Sequence, residues 1–132
     1  GTPPISQVLA LPACLNYLKQ VGMENIHQHE HMLVSYAHEQ LATLGKVNIL
    51  GPAPSDKAGV VSFTVDNLHP YDLTHALDNQ GVAIRAGHHC AMPLHQRLGI
   101  TASARASFYL YNTPEDVDTL VQAIDKAIRL FS

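Results

Sequence analysis

The chain has 132 residues, of which 46% are hydrophobic and 14% charged, with a formal net charge of -3 when histidine is neutral. That length suits one domain around one core, and eight scattered Lys and Arg residues make no basic patch for nucleic acid or an anionic membrane surface. No apolar run approaches the roughly eighteen residues of a membrane-spanning helix, and the opening GTPPIS lacks the basic and apolar regions of a secretory signal.

Taken in chain order, Ile5, Val8, Leu9, Leu15 and Leu18 fall at helical spacing over residues 5 to 21. Pro12 predicts a kink or a fresh start within that helix. A second helix carries Ile26, Leu33, Tyr36, Ala37, Leu41 and Leu44 on one face and stops at Gly45. VNIL (47–50) reads as a short strand and GPAPSD (51–56) as a loop. Val61, Phe63 and Val65 alternate in GVVSFTV, as in a strand with one buried face. Pro70 opens a helix buried through Leu73, Ala76 and Leu77 and ended by Gly81.

VAIR (82–85) predicts a strand that ends on Arg85, and residues 91 to 98 a short helix closed by Gly99. In ASARASFYLY (102–111), Ala104, Ala106, Phe108 and Leu110 share one face, and Ser103, Arg105, Ser107 and Tyr109 the other. The last helix has Thr113 as cap, Pro114 in the first position and Glu115 and Asp116 at its positive end. Its stripe is Val117, Leu120, Val121, Ile124 and Ile128. The expected order is ααββαβαβα, an α+β (mixed α/β) domain, with no repeat and no low-complexity segment. The chain begins at GTPP without a methionine, which suggests a piece of a longer protein.

Two cysteines, Cys14 and Cys90, are too few for a disulfide scaffold, so free thiols in a reducing cytoplasm are expected. Cys14 lies in an apolar helix and reads as packing. Cys90 lies in RAGHHCAMP (85–93), between Arg85, His88 and His89 and the helix that follows. A thiolate is the nucleophilic form of cysteine, and nearby cations or a helix start favour it, so Cys90 is the candidate nucleophile. Gly87 lets the loop approach another group closely or take a positive φ.

Nine histidines raise the question of metal. His27 and His31 stand one helical turn apart, a spacing that could hold zinc. The H-E-x-x-H pattern fails at both His29-Glu30 and His38-Glu39, so a solvated polar face is the reading. His88, His89 and Cys90 are adjacent and point apart on extended chain. Even with His95 added they make a poor tetrahedral cage, and no metal is expected. Arg85 and Arg105 both lie on predicted strands, where an arginine meets solvent or an anion. If those strands are neighbours, two guanidinium forks beside a thiol suit an amino-acid or keto-acid carboxylate. No G-x-G-x-x-G, phosphate loop or G-x-S-x-G elbow occurs.

The stretches GVAIRAGHHCAMPL and ARASFYLYNTPEDVDTLVQAI resemble the C-terminal part of group II (SufS-like) cysteine desulfurases, pyridoxal-phosphate enzymes of aminotransferase class V and fold type I. The resemblance runs over essentially the whole chain from the G-T-P segment onward. It implies the small C-terminal domain of such an enzyme as one domain over 1–132, with residues 1–22 a leading helical segment that packs on a large domain.

It also implies that Cys90 takes sulfur from L-cysteine as a persulfide, leaving L-alanine, for iron-sulfur cluster assembly. Arg105 would hold the substrate carboxylate and Arg85 would stand on the same side. Thr2 would reach the cofactor phosphate of the partner subunit in a homodimer, and His88 and His89 would lie near the active site with roles unassigned. A persulfide acceptor of the SufE or SufU type is the implied partner. The family's cofactor-bearing lysine, in a motif like S-x-H-K, has no counterpart at Lys19, Lys46, Lys57 or Lys126, so this chain alone is expected to be inactive. A sulfur-carrier or redox module built on Cys90, and a selenocysteine lyase, are the alternative readings.

Overall fold

A computed structural model describes residues 1–131. Alternation and helical periodicity produce five α-helices and four short strands. They are α1 (Ile5–Val21), α2 (Met23–Ala42), β1 (Val47–Leu50), β2 (Val60–Val65), α3 (Pro70–Asp78), β3 (Arg85–Gly87), α4 (Met92–Leu98), β4 (Ser103–Ser107) and α5 (Pro114–Leu130), with a single 3₁₀ turn at Pro54–Asp56. The mixed α+β class and the element order agree with the periodicity.

The strands form one antiparallel sheet in the order β1-β2-β4-β3. Val47 faces Val65, Ile49 faces Phe63, Phe63 faces Ala104 and Val61 faces Ala106 across the ladders. These residues share the face packed by α2, α3 and α5, and with Leu33, Leu41, Leu73, Leu77, Val117 and Ile124 they make the core. The small Ala104 and Ala106 on β4 let the helices approach the sheet closely. Helix α5 begins with a capping box in which Asp116 Oδ2 accepts from the Thr113 N–H at 3.0 Å.

Two strands differ from expectation. Residues 82–85 do not form a strand; β3 begins at Arg85 and runs to Gly87. The Val82 N–H closes α3 by bonding Leu77 O, and Val82 and Ile84 turn into the core, so this backbone serves the helix end and not the sheet. Strand β4 stops at Ser107. The Phe108 N–H goes instead to Gly59 O at 2.7 Å, at a place where a Cβ on Gly59 would stand 2.5 Å from Phe108 O. Tyr109 and Asn112 then close a turn, which takes Leu110 off the core face.

Helix α1 runs unbroken through Pro12 from Ile5 to Val21. Good helix formers on both sides carry it past the one backbone bond that proline removes. It contributes no buried residue: Ile5, Val8, Leu9, Leu11, Leu15 and Tyr17 are all exposed. Cys14, expected to be packed, is exposed as well: with Ala13, Tyr17 and Leu18 it borders an open apolar hollow shared with Tyr109, Leu110 and Tyr111 and is not buried by them.

Candidate functional site

The opposite face of the sheet is polar, and pairing register arranges it. Arg85 on β3 lies directly across from Arg105 on β4, and Arg105 across from Ser62 on β2. Directly opposed residues share a face, so the two arginines stand side by side on the face opposite α2, α3 and α5. Like charges in that position repel, and an anion is what such a pair lacks. Arg105 Nε is buried with no hydrogen-bond partner among the described residues.

The segment after β3 brings the thiol to this pair. Arg85 Nη2 donates to Cys90 Sγ at 3.6 Å, and the thiol is exposed. Gly87 has φ +118°, and a Cβ there would meet Tyr71 Oη at 3.2 Å; the residue meets both conditions expected of it. His89 and Cys90 then take φ 54° and 62°, and the Ala91 N–H donates to His88 O at 2.8 Å. This is the pattern of a type I′ turn, normally made by Asn and Gly. With other residues it costs of order 1 kcal/mol per position.

The histidines divide by role. The His89 Nε2–H faces Ser103 O at 3.1 Å and Ser103 Oγ at 3.0 Å. A carbonyl only accepts, so the proton sits on Nε2 and Nδ1 is left as an acceptor. That Nδ1 is also buried without a partner among the described residues. Burial first, and the positive Arg105 second, hold the His89 imidazole below its ordinary pKa and keep it neutral. His95 is buried against the same Ser103 and bonds its hydroxyl at 2.9 Å. His88 is exposed, with its ring edge-on to His95 at 5.4 Å.

The structure therefore gathers Arg85, His88, His89, Cys90 and Arg105. Thr2 is exposed in the segment ahead of α1, on a different element from the others. Among the described residues no group of three or more His, Cys, Asp or Glu could hold a metal ion. On α2 the expected solvated face is only partly so. His29 Nε2 bonds Asn112 O at 2.9 Å and His38 Nε2 accepts from Lys57 Nζ at 2.9 Å, while His27 and His31 merely lie with rings 6.4 Å apart.

Ser103 was missed as a member of this cluster, and His95, weighed only as a metal ligand, enters it as the partner of Ser103. Alternation assigned Ser103 to the polar face, yet it is fully buried there. The available signal was an inverted helix: α4 exposes Met92, Leu94 and Leu98 and buries His95, the reverse of a helix on an apolar core.

As chemistry, the cluster offers a nucleophilic sulfur beside two guanidinium groups, suited to an anionic substrate with an electrophilic atom near its carboxylate. It does not offer an amine that could anchor a carbonyl cofactor. None of the four lysines lies on β3, β4 or the segment between them, and Lys57 is taken up by His38 and Leu50 O.

Comparison with known proteins bears on this arrangement. The family model for aminotransferase class-V matches residues 1–120. A cysteine desulfurase of Haloferax volcanii is 51% identical over 132 residues, which are 100% of this chain and 31% of that protein. Among solved structures, the apo cysteine desulfurase from Thermococcus onnurineus NA1 superposes with a TM-score of 0.92 at 39% identity, over 98% of this chain and 32% of that one. The Escherichia coli cysteine desulfurase CsdA, in an S-sulfonic acid form, also gives 0.92, at 33% identity over 100% of this chain and 32% of that one. The chain thus spans just under a third of the length of these relatives.

Proposed function

We propose that this chain, which belongs to the aminotransferase class V family, is the sulfur-accepting part of a group II, pyridoxal-phosphate-dependent cysteine desulfurase. One observation carries the reading: Cys90 Sγ sits 3.6 Å from Arg85 Nη2, and Arg85 stands opposite Arg105 on the neighbouring strand. A sulfur carrier needs an exposed thiol but no paired arginines beside it, whereas a desulfurase must bind an amino acid by its carboxylate while a thiol attacks its sulfur.

In this reading Arg105, with its unpartnered Nε, takes the α-carboxylate of L-cysteine in a two-pronged grip, and Arg85 adds positive charge on the same side. The Cys90 thiolate attacks the substrate sulfur. A sulfur–sulfur bond forms, the substrate carbon–sulfur bond breaks, and the electron pair left on that carbon takes a proton, giving L-alanine and a persulfide on Cys90. Pyridoxal phosphate, anchored outside this chain, supplies the electron sink when bound, and Thr2 would contact its phosphate across a homodimer.

The exposed apolar side of α1 supports the expectation that residues 1–22 pack on a large domain. The exposure of Cys90 supports delivery of sulfur to an acceptor protein of the SufE or SufU type, for iron-sulfur cluster assembly in the cytoplasm. The test is made in the longer protein. Incubation with L-cysteine and mass mapping should find one added sulfur on Cys90, and Cys90→Ser should abolish alanine formation. Wild-type alanine output from Cys90→Ser would refute the reading; loss of cysteine turnover by that variant with selenocysteine turnover kept would assign a selenocysteine lyase.

A further inference from the structure

Cys90 stands on a backbone conformation that its residue types disfavour. Two successive non-glycine residues with left-handed φ, His89 and Cys90, persist only where the surroundings over-determine them. The surroundings that do so converge on one hydroxyl. On one side of Cys90, the His89 Nε2–H reaches Ser103 Oγ and O. On the other side, Ala91 O accepts from the His95 Nδ1–H at 3.1 Å. A carbonyl cannot donate, so that proton is on Nδ1, and Nε2 is the ring atom turned to Ser103. The Ser103 hydroxyl bonds His95 Nε2 at 2.9 Å and accepts from His89. Both neighbours of the thiol are thereby tied to Ser103, one directly and one through His95. Ser103 lies on β4 two residues from Arg105, so the tie also fixes the turn to the strand that carries the second arginine.

We propose that Ser103 and His95 are positioning residues for Cys90: together they clamp the residues on either side of the thiol and hold Sγ beside Arg85. Neither residue touches the sulfur or the arginines through any hydrogen bond of its own. Both act through His89 and Ala91. The inference rests on the reading of Cys90 as sulfur acceptor, and it assigns a duty to two residues outside the R-x-G-H-H-C stretch.

The experiment uses the longer protein with Ser103→Ala, Ser103→Thr and His95→Gln variants and two independent readouts. The first is the rate of Cys90 alkylation by limiting iodoacetamide at fixed pH, followed by peptide mapping. The second is alanine formation against L-cysteine concentration. Ser103→Ala should change the alkylation rate at least threefold and lower kcat about tenfold, with KM within twofold because Arg105 is untouched. Ser103→Thr keeps the hydroxyl and should stay within twofold of wild type in both. His95→Gln keeps a hydrogen-bonding group for Ser103 but loses the side-chain bond to Ala91 O, leaving only the backbone bonds there, and should move alkylation as Ser103→Ala does. Unchanged alkylation in Ser103→Ala or His95→Gln would overturn the proposal, as would a threonine variant as impaired as the alanine one. If alkylation responds as expected but the wild-type protein makes no alanine, the clamp stands and the desulfurase reading falls.

Discussion

Replacing Arg105 by alanine in the longer protein separates substrate handling from folding. Its side chain leaves β4 on the face opposite α2, α3 and α5 and stands across from Arg85, where like charges cost about 0.2–1 kcal/mol. Its Nε is buried without a partner among the described residues, and an unsatisfied buried donor costs about 1–3 kcal/mol. Truncation removes both penalties and no core side chain, so Tm should stay within a few degrees of wild type or rise. One kcal/mol is worth about 2–4 °C at 150–250 residues and less in a longer chain.

Substrate handling should change far more. A carboxylate held by charge-assisted hydrogen bonds contributes about 1.5–3 kcal/mol. At 1.36 kcal/mol per decade this is a loss of roughly 10- to 150-fold in kcat/KM. Arg105→Lys should recover little, since an ammonium lacks the two-pronged geometry. The assay is alanine production against L-cysteine concentration, with a thermal melt of each variant. Wild-type efficiency in Arg105→Ala, or an activity loss that tracks a fall of Tm by ten degrees or more, would refute the carboxylate assignment.

The remaining expectations concern lysine, thiols and pH. The 132-residue chain alone, mixed with pyridoxal phosphate and reduced by borohydride, should give no stoichiometric adduct at a single lysine and release no sulfur from cysteine; mass spectrometry and sulfide assay check both. Because Cys14 and Cys90 are both exposed, iodoacetamide should label both in the isolated chain. In the longer protein Cys14 should be protected at least tenfold by whatever covers α1, and equal Cys14 labelling in the two would disprove that burial.

Burial foremost holds His38 and His89 below their ordinary value of 6.5, with positive Lys57 and Arg105 adding to it respectively. Their folded pKa values lie under the unfolded ones, so the unfolded chain binds protons first. The stability they contribute is complete above about pH 6.5 and is lost as pH falls from there through the folded values. Urea midpoints should therefore drop between pH 7.5 and 5.5, less steeply in His38→Gln, and a midpoint that rises on acidification would contradict the sign.

Much of the fold was legible because its causes are local. The stripe of α5 and the alternation of Val61, Phe63 and Val65 depend only on spacing along the chain, and Pro, Gly and acidic residues mark the element ends near where they fall. The motif around Cys90 was legible as well, since the glycine, the two histidines and the thiol are consecutive.

Pairing was not legible, because the partner of a strand is set by contacts far away in sequence. That Arg85 faces Arg105 across twenty residues is a matter of register, and the same register decides that the two charges need an anion. The ends of β3 and β4 were misplaced because Val82 and Phe108 give their N–H groups to Leu77 O and Gly59 O, acceptors that spacing alone does not reveal. Ser103 became a buried hub because α4 folds back over the outer face of the sheet and brings His95 onto it. Cys14 was read as core because an apolar helix normally finds a core, yet no residue of α1 is buried and the thiol is exposed. Hydrophobic spacing records that a face wants burial, and only the tertiary arrangement decides what, if anything, buries it.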